Sequence, residues 1–183
     1  MKVISGIYKG RKLKFIKDKE IRPTKDIVRE AIFDTLREWI VNKKVLEIFA
    51  GNGILGIEAI SHGAKKVIFI EKEKRGIEVI KENIKNLGIE KKCEIIKGDC
   101  EYEIEKLKNI KYDLVIGDPP YDFPISKLER IIEKIVKLNI LKKNGILVIE
   151  HDRKKEIPKF EGYEIIKNRK YGKTELTYLR RIK

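Results

Sequence analysis

The 183-residue chain has no glutamine, two cysteines and two histidines. Cys93 and Cys100 do not form a CxxC pair, and two histidines cannot readily complete a zinc site with them. No apolar run approaches the roughly 18 residues that a membrane span requires. Met1-Lys2-Val3-Ile4-Ser5-Gly6 lacks the apolar stretch of a secretory leader. These absences predict a reduced, cytoplasmic, metal-free protein. The missing glutamine, beside abundant lysine, glutamate and isoleucine, is also a bias of thermophile proteins. What is present is 42% hydrophobic, enough for one domain with a sizeable core and too apolar for disorder.

The formal net charge of +14 is unevenly placed. Residues 1–44 carry 13 Lys and Arg against 6 Asp and Glu, and residues 151–183 carry 11 against 5. Residues 45–150 are nearly balanced, at 19 against 18. A neutral centre with basic ends points to a polyanionic partner, most simply nucleic acid.

Val3–Ile7 and Leu13–Ile16 flank Tyr8-Lys9-Gly10-Arg11-Lys12, which predicts a hairpin with cations at its tip. Such a tip suits phosphate contacts by Lys9, Arg11 and Lys12; lysines equally protect a solvated edge. Arg22-Pro23-Thr24 ends a polar linker, with Thr24 placed to N-cap the next helix. Ile27, Ala31, Ile32, Thr35, Leu36, Trp39 and Ile40 recur at helical spacing over residues 25–40. On that reading Trp39 is core, while Arg29 and Glu30 fall off the stripe. From Lys44, strands are expected at 45–49, 67–71, 93–97, 113–117 and 146–150. Helices are expected between them at 54–62, 73–87, 101–108 and 125–139. Repeated β-α units with apolar strands call for a parallel sheet covered on both faces. Tyr163–Asn168 and Thr174–Arg181 then predict an antiparallel hairpin closing one edge.

Chemistry-bearing residues fall at the ends of the expected strands. The first runs into Ala50-Gly51-Asn52-Gly53, where glycines let the backbone approach a ligand and a helix begins with free N–H groups. Gly51-Asn52-Gly53-Ile54-Leu55-Gly56 formally matches a dinucleotide fingerprint, a weak signal alone. Glu47 inside that strand redirects it, because a carboxylate suits an amino group and not a pyrophosphate. Glu71 ends the next strand, placed to chelate ribose hydroxyls. Asp99 follows the third and could accept from an adenine amino group. Each acid alone could be a helix cap or a surface group. The fourth strand ends in Asp118-Pro119-Pro120-Tyr121, where two prolines stiffen the carbonyls beside a carboxylate and an aromatic ring. That set suits a planar group bearing an NH2, with Asp118 and the Pro119 carbonyl accepting its hydrogens and Tyr121 stacking on the ring.

This layout resembles the Rossmann-like methyltransferases that use S-adenosyl-L-methionine, and Asp-Pro-Pro-Tyr resembles the motif of their amino-methylating branch. Ile4-Ser5-Gly6, Lys9-Gly10-Arg11-Lys12-Leu13, Arg22-Pro23-Thr24, Val28-Arg29-Glu30-Ala31-Ile32-Phe33, Ile48-Phe49-Ala50-Gly51-Asn52-Gly53, Glu150-His151 and Tyr171-Gly172 narrow it. They are similar to the bacterial family that methylates guanine N2 in small-subunit (16S) ribosomal RNA. The chain departs from that family's pattern at Glu47 for Asp, Asn52 for Ser or Thr, and His62 for Arg; His62 is read as packing near a helix end. The resemblance implies an α/β fold with a mostly parallel seven-stranded sheet. A catalytic domain over 44–183 would follow an RNA-facing extension over 1–43. It places Glu47, Phe49, Ala50, Gly51, Asn52, Gly53, Glu71, Lys72, Asp99 and Cys100 around the cofactor. Asp118, Pro119, Pro120 and Tyr121 would hold the reacting amine, and Lys9, Arg11, Lys12, Arg22, Thr24 and Arg29 the RNA. The expected enzyme is a monomer acting on ribosomal RNA, free or within an assembly particle. A DNA adenine-N6 methyltransferase, a protein glutamine methyltransferase and a non-catalytic RNA-binding protein keeping the cofactor fold stay open beside it.

Overall fold

The computed structural model describes residues 1–16, 25–120 and 122–183. Seven strands form one sheet: β1 (Lys44–Ile48), β2 (Lys66–Glu71), β3 (Cys93–Lys97), β4 (Tyr112–Gly117), β5 (Leu141–Asp152), β6 (Tyr163–Tyr171) and β7 (Thr174–Arg181). Their order is β3-β2-β1-β4-β5-β7-β6. The first five are parallel, and β7 pairs antiparallel with both β5 and β6. β5 outruns its expected 146–150 at both ends: Leu141 pairs with Tyr112 of β4, and β7 pairing continues to Asp152. The other elements fall within a few residues of expectation.

Alternation along the buried strands sorts side chains between two apolar layers. Val45, Phe69, Leu114, Ile116 and Val148 pack with α1 (Asp26–Leu36), α2 (Ile54–Ser61) and α3 (Lys74–Leu87). Leu46, Ile48, Val115, Leu147 and Ile149 face α4 (Cys100–Lys106) and α5 (Ile125–Lys137). Both strand neighbours of β1 leave through helices on these layers, so the sheet order reverses between β1 and β4. That reversal opens a crevice at their C-terminal ends.

The N-terminal arm is shorter than a full hairpin. Only Lys2 bridges Lys12, supported by Val3 N to Arg11 O at 3.0 Å and Leu13 N to Met1 O at 2.9 Å. Gly6 turns the chain at φ +77°, and Ile7 N and Tyr8 N bond Ser61 at the end of α2 instead of a second strand. A Cβ on Gly6 would lie 2.1 Å from Ser61 O, so the close docking itself excludes a strand there. Val3 and Leu13 join the same apolar cluster as α1 and α2.

The buried stripe of α1 also differs from expectation. It is Val28, Arg29, Ile32, Phe33 and Leu36, whereas Ile27 is 59% exposed. The helix ends at Leu36, and a 3-10 turn over Arg37–Ile40 shifts the phase, leaving Trp39 only partly buried under the Lys43 ammonium. The N-cap position is Lys25, without a side-chain cap; Thr24 lies outside the described residues. His62 sits at the C-cap of α2, stacked on Phe33 at 5.0 Å and bonded to Ser5 Oγ at 2.7 Å. Burial lowers its pKa below the ordinary imidazole value, in keeping with a packing role.

Candidate active site

A cavity of about 900 Å³ opens along the C-terminal edge of the parallel strands. Glu47, Phe49, Ala50, Gly51, Asn52, Glu71, Lys72, Asp99, Cys100, Asp118, Pro119 and Pro120 all line it. In space the acids run Asp99, Glu71, Glu47, Asp118, following β3, β2, β1 and β4. Chain order differs because β1 is central.

Glu47 is 2% exposed, and its Oε2 accepts the Gly56 N–H at 2.8 Å. Burial pushes its carboxyl well above the usual glutamate range; the Gly56 and Leu55 N–H groups oppose this, while Glu71 and Asp118 add to it. No Lys or Arg pairs with it among the described residues. Gly56 permits the approach, since a Cβ there would meet Phe69 at 2.4 Å and Glu47 Oε2 at 2.6 Å.

Glu71 folds its carboxylate inward. Oε2 accepts from Gly51 N at 2.5 Å and Oε1 from Glu73 N at 2.8 Å, which fixes the glycine loop against β2. Each oxygen keeps a second lone pair for a hydroxyl donor. Burial raises its pKa as well. Asp99 is the N-cap of α4, with Oδ1 accepting from Glu101 N at 3.0 Å, so the cap and ligand readings of this acid are compatible through Oδ2. Cys100 is buried on the cavity wall, and burial raises its thiol pKa, which makes it inert as a nucleophile. Lys72 is at the exposed rim.

Asn52 is 3% exposed and two-sided. Its Oδ1 accepts from Ile16 N at 3.0 Å, which orients the amide, and its Nδ2 is buried without a partner. Gly53, by contrast, does not line the cavity. It is the N-cap of α2 at φ +71°, and a Cβ there would press on Ile80 at 2.9 Å. Phe49 holds a left-handed φ of +55°, a conformation that costs a non-glycine residue about 1–3 kcal/mol and that clusters at ligand sites. Its ring meets Phe123 edge-on at 4.9 Å.

Asp118 follows β4, half-buried, with Pro119 half-buried and Pro120 exposed beside it. Tyr121 lies outside the described residues, as do Arg22 and Thr24. Phe123, His151, Lys155 and Thr174 also line the cavity and were not anticipated as site residues. The first stands next to the Asp-Pro-Pro-Tyr motif, the one local signal that could have found it. His151 and Thr174 arrive through β5–β7 pairing and Lys155 through the turn that follows β5, with Lys155 N bonded to Asp152 O at 2.9 Å. Of the three only His151 had a local signal, as part of Glu150-His151. His151 bonds Thr177 Oγ1 at 2.8 Å and Asp152 O at 3.0 Å, so both ring nitrogens are occupied.

The expected RNA contacts fare differently. Arg29 is 1% exposed and is not a surface residue: Nη1 donates to Glu58 at 2.9 Å and Nη2 to Asp26 at 2.6 Å. A buried guanidinium held by two carboxylates has no phosphate to reach, so Arg29 is a scaffold residue and not the expected RNA contact. Lys9, Arg11 and Lys12 are exposed, but Arg11 donates to Asn86 O at the far end of α3. Fourteen helical residues at about 1.5 Å each put that end roughly 20 Å from the cavity rim at Lys74.

A parallel sheet with an antiparallel seventh strand and a row of acids at its C-terminal edge defines the fold of S-adenosylmethionine-dependent methyltransferases. Residues 1–180 match the family described as Conserved hypothetical protein 95, and the chain belongs to that family. YlbH of Bacillus subtilis is 35% identical over 178 residues, 95% of each chain. Ribosomal RNA small subunit methyltransferase D of Haemophilus influenzae is 31% identical over 174 residues, covering 94% of this chain and 89% of that one. The crystal structure of protein HI0767 from Haemophilus influenzae superposes with TM-score 0.85 at 28% identity, over 100% of this chain and 98% of that one.

The residues fit S-adenosylmethionine. Glu47 is an acid without a cation, suited to the cofactor's ammonium. Asn52 Nδ2 is an unused buried donor, suited to its carboxylate. Glu71 and Asp99 retain acceptors for hydroxyl and amino hydrogens. A Cβ on Gly76 would lie 2.6 Å from Gly51 O, so this glycine lets the glycine loop seat closely against α3.

Proposed function

We propose that this protein methylates the exocyclic N2 amine of a guanine in small-subunit ribosomal RNA, using S-adenosylmethionine. The observation that carries the reading is the shared cavity: Asp118 faces the same space as Glu47, Glu71 and Asp99. Cofactor and acceptor sites thereby meet across the β1–β4 reversal. Two further facts support the substrate: the similarity to ribosomal RNA small subunit methyltransferase D of Haemophilus influenzae and the basic ends of the chain.

When bound, the cofactor supplies an electrophilic methyl group on a sulfonium. The chain's residues act on the acceptor. An aromatic NH2 is a poor nucleophile because its lone pair is delocalised into the ring. Asp118 and the Pro119 carbonyl accept its two hydrogens, which orients the nitrogen and favours the pyramidal form that attack requires. As the nitrogen gains a methyl carbon and the carbon–sulfur bond breaks, one N–H proton leaves, and the Asp118 carboxylate takes it. Phe49 and Phe123 exclude water from one wall, and Tyr121 offers the ring on which an extruded base stacks. Glu47, Asn52, Glu71 and Asp99 bind the cofactor; no nucleophilic cysteine is used.

Methyl transfer from radiolabelled S-adenosylmethionine tests this. Unmethylated small-subunit rRNA, the rRNA–protein particle and duplex DNA serve as acceptors, with the labelled nucleoside identified. N2-methylguanosine from RNA or particle is expected. N6-methyladenine from DNA would overturn the substrate, and no label in any acceptor would overturn the reading.

A further inference from the structure

The C-terminal cations remain unused by this reading, and the sheet places them at the active edge. Gly117 pairs with Ile149, Ile149 with Thr177 and Thr177 with Asn168. One residue further towards the cavity, the row continues as Asp118, Glu150, Leu176 and Arg169, the last two pairs again in register. Three strand spacings of about 4.8 Å put the Arg169 backbone roughly 15 Å from that of Asp118. Lys170 and the β6–β7 turn rise beyond it. The segment after β5 is tied to that turn: Arg153 N donates to Lys173 O at 3.0 Å and its Nη1 to Gly172 O at 2.9 Å. Lys155 lines the cavity itself, with Thr174.

Arg153, Lys154, Lys155, Arg169, Lys170 and Lys173 thus form one cationic rim on two hydrogen-bonded segments. None of them is in an ion pair among the described residues. The acids nearest in sequence form no ion pair with them among the described residues, although Glu175 lies opposite Lys170 in the β6–β7 register. Asp152 Oδ1 accepts from Lys154 N, Glu175 is buried between β5 and β6, and Glu156 is exposed on the far side of Lys155 in sequence. The N-terminal turn differs: Arg11 is spent on Asn86 O and Lys14 on Glu82, at or towards the opposite end of α3. Six like charges held on these two hydrogen-bonded segments repel one another until a polyanion neutralises them. An RNA strand leading away from a base seated at Asp118 presents phosphates at that distance.

We infer that the β6–β7 turn and the 153–155 segment grip the RNA phosphates next to the target nucleotide. This rests on the RNA reading above. The N-terminal turn, at the opposite edge, can touch only more distant parts of a large RNA.

The test compares two triple variants of equal charge change. R169E/K170E/K173E alters the rim; K65E/K91E/K108E alters exposed lysines just before β2, β3 and β4, at the opposite edge. Each is titrated with unmethylated small-subunit rRNA over a range of salt, and each is assayed for KM and kcat. The rim variant should raise the Kd and KM for RNA at least about tenfold. It should also lower the log–log salt slope by about 2, the share of three phosphate contacts. Cofactor affinity should stay at the wild-type value, which shows that the hairpin still folds, and R169Q/K170Q/K173Q should fall between. The opposite-edge variant should change RNA affinity less than threefold. Equal weakening by both triples, or no weakening by the rim triple in a protein that methylates rRNA, would overturn the inference alone. A wild type that methylates no RNA would overturn the function first, before any variant is made.

Discussion

Glu47 and Glu58 are both buried on the same side of the sheet, yet they do opposite work. Glu58, on α2, meets the Arg29 guanidinium at 2.9 Å and the Ile4 N–H at 2.8 Å. Burial still raises its pKa, and Ile4 and Arg29 pull it down again. That carboxylate is already neutralised by its own chain, so it ties α1, α2 and the first residues together. Glu47 has backbone donors and no cation, and it opens onto a cavity that holds further acids. A buried acid with its partner inside the protein belongs to the scaffold. A buried acid facing a cavity without one is left available to a ligand, the role proposed above for Glu47.

The largest effect should come from breaking the completed pair. Glu58→Ala leaves the buried Arg29 with Asp26 as its only carboxylate beside the Lys2 carbonyl, and losing one member of a buried ion pair costs about 3–5 kcal/mol. Urea unfolding should show that loss; an unchanged midpoint would mean Arg29 is not held as described. Next comes Asp118→Ala, which removes one preorganised acceptor and should lower kcat by about 10²–10³ or more. Calorimetric cofactor affinity should stay nearly intact, and its loss would contradict the role given to Asp118.

Glu47→Gln should do the reverse of Glu58→Ala. It should weaken cofactor binding by about tenfold or more, as expected for a lost charge-assisted contact of about 1.5–3 kcal/mol. It should leave the unliganded protein as stable as before, or more so. The sign follows from the raised carboxyl. Between the unfolded pKa of about 4.3 and the higher folded one, the folded chain keeps a proton that the unfolded chain has released. Stability is therefore lost as pH rises through that window, and Glu47→Gln should flatten the loss. Glu58 and Glu71 contribute in the same sense, so a residual slope is expected. A steeper slope in the variant would refute the assignment. The smallest effect should come from Asp26→Ala. Its side chain is 70% exposed, so removing it should cost under about 1 kcal/mol, although it touches the same arginine as Glu58.

The β-α alternation was readable because buried parallel strands are continuous apolar runs and their helices carry 3.6-residue stripes. The acids at strand ends were readable for the same reason: once a strand's end is located, the residue after it lies at the ligand edge. Arg29 was misjudged because periodicity locates a helix more firmly than its rotation. The expected stripe shares Ile32 and Leu36 with the true one but takes Ile27, Ala31 and Thr35 where Val28, Arg29 and Phe33 are buried. A charged side chain inside the true stripe is invisible until its acid is found 29 positions away. The basic N-terminal turn was legible as basic, but its docking on Ser61 and Asn86 depends on where α2 and α3 end.

The order of elements, the glycine loop, the line of acids and the basic ends are all properties of local sequence, because pattern and spacing dictate strand, turn and helix. The tertiary structure alone decided three things. Putting β1 at the centre changed the chain order of the acids into the spatial order Asp99, Glu71, Glu47, Asp118. Burying Arg29 turned an expected RNA contact into a scaffold pair. Pairing β7 with β5 carried the C-terminal cations to the cavity while the N-terminal turn went to the other edge. Each outcome depends on contacts between residues far apart in the chain, which local periodicity does not encode.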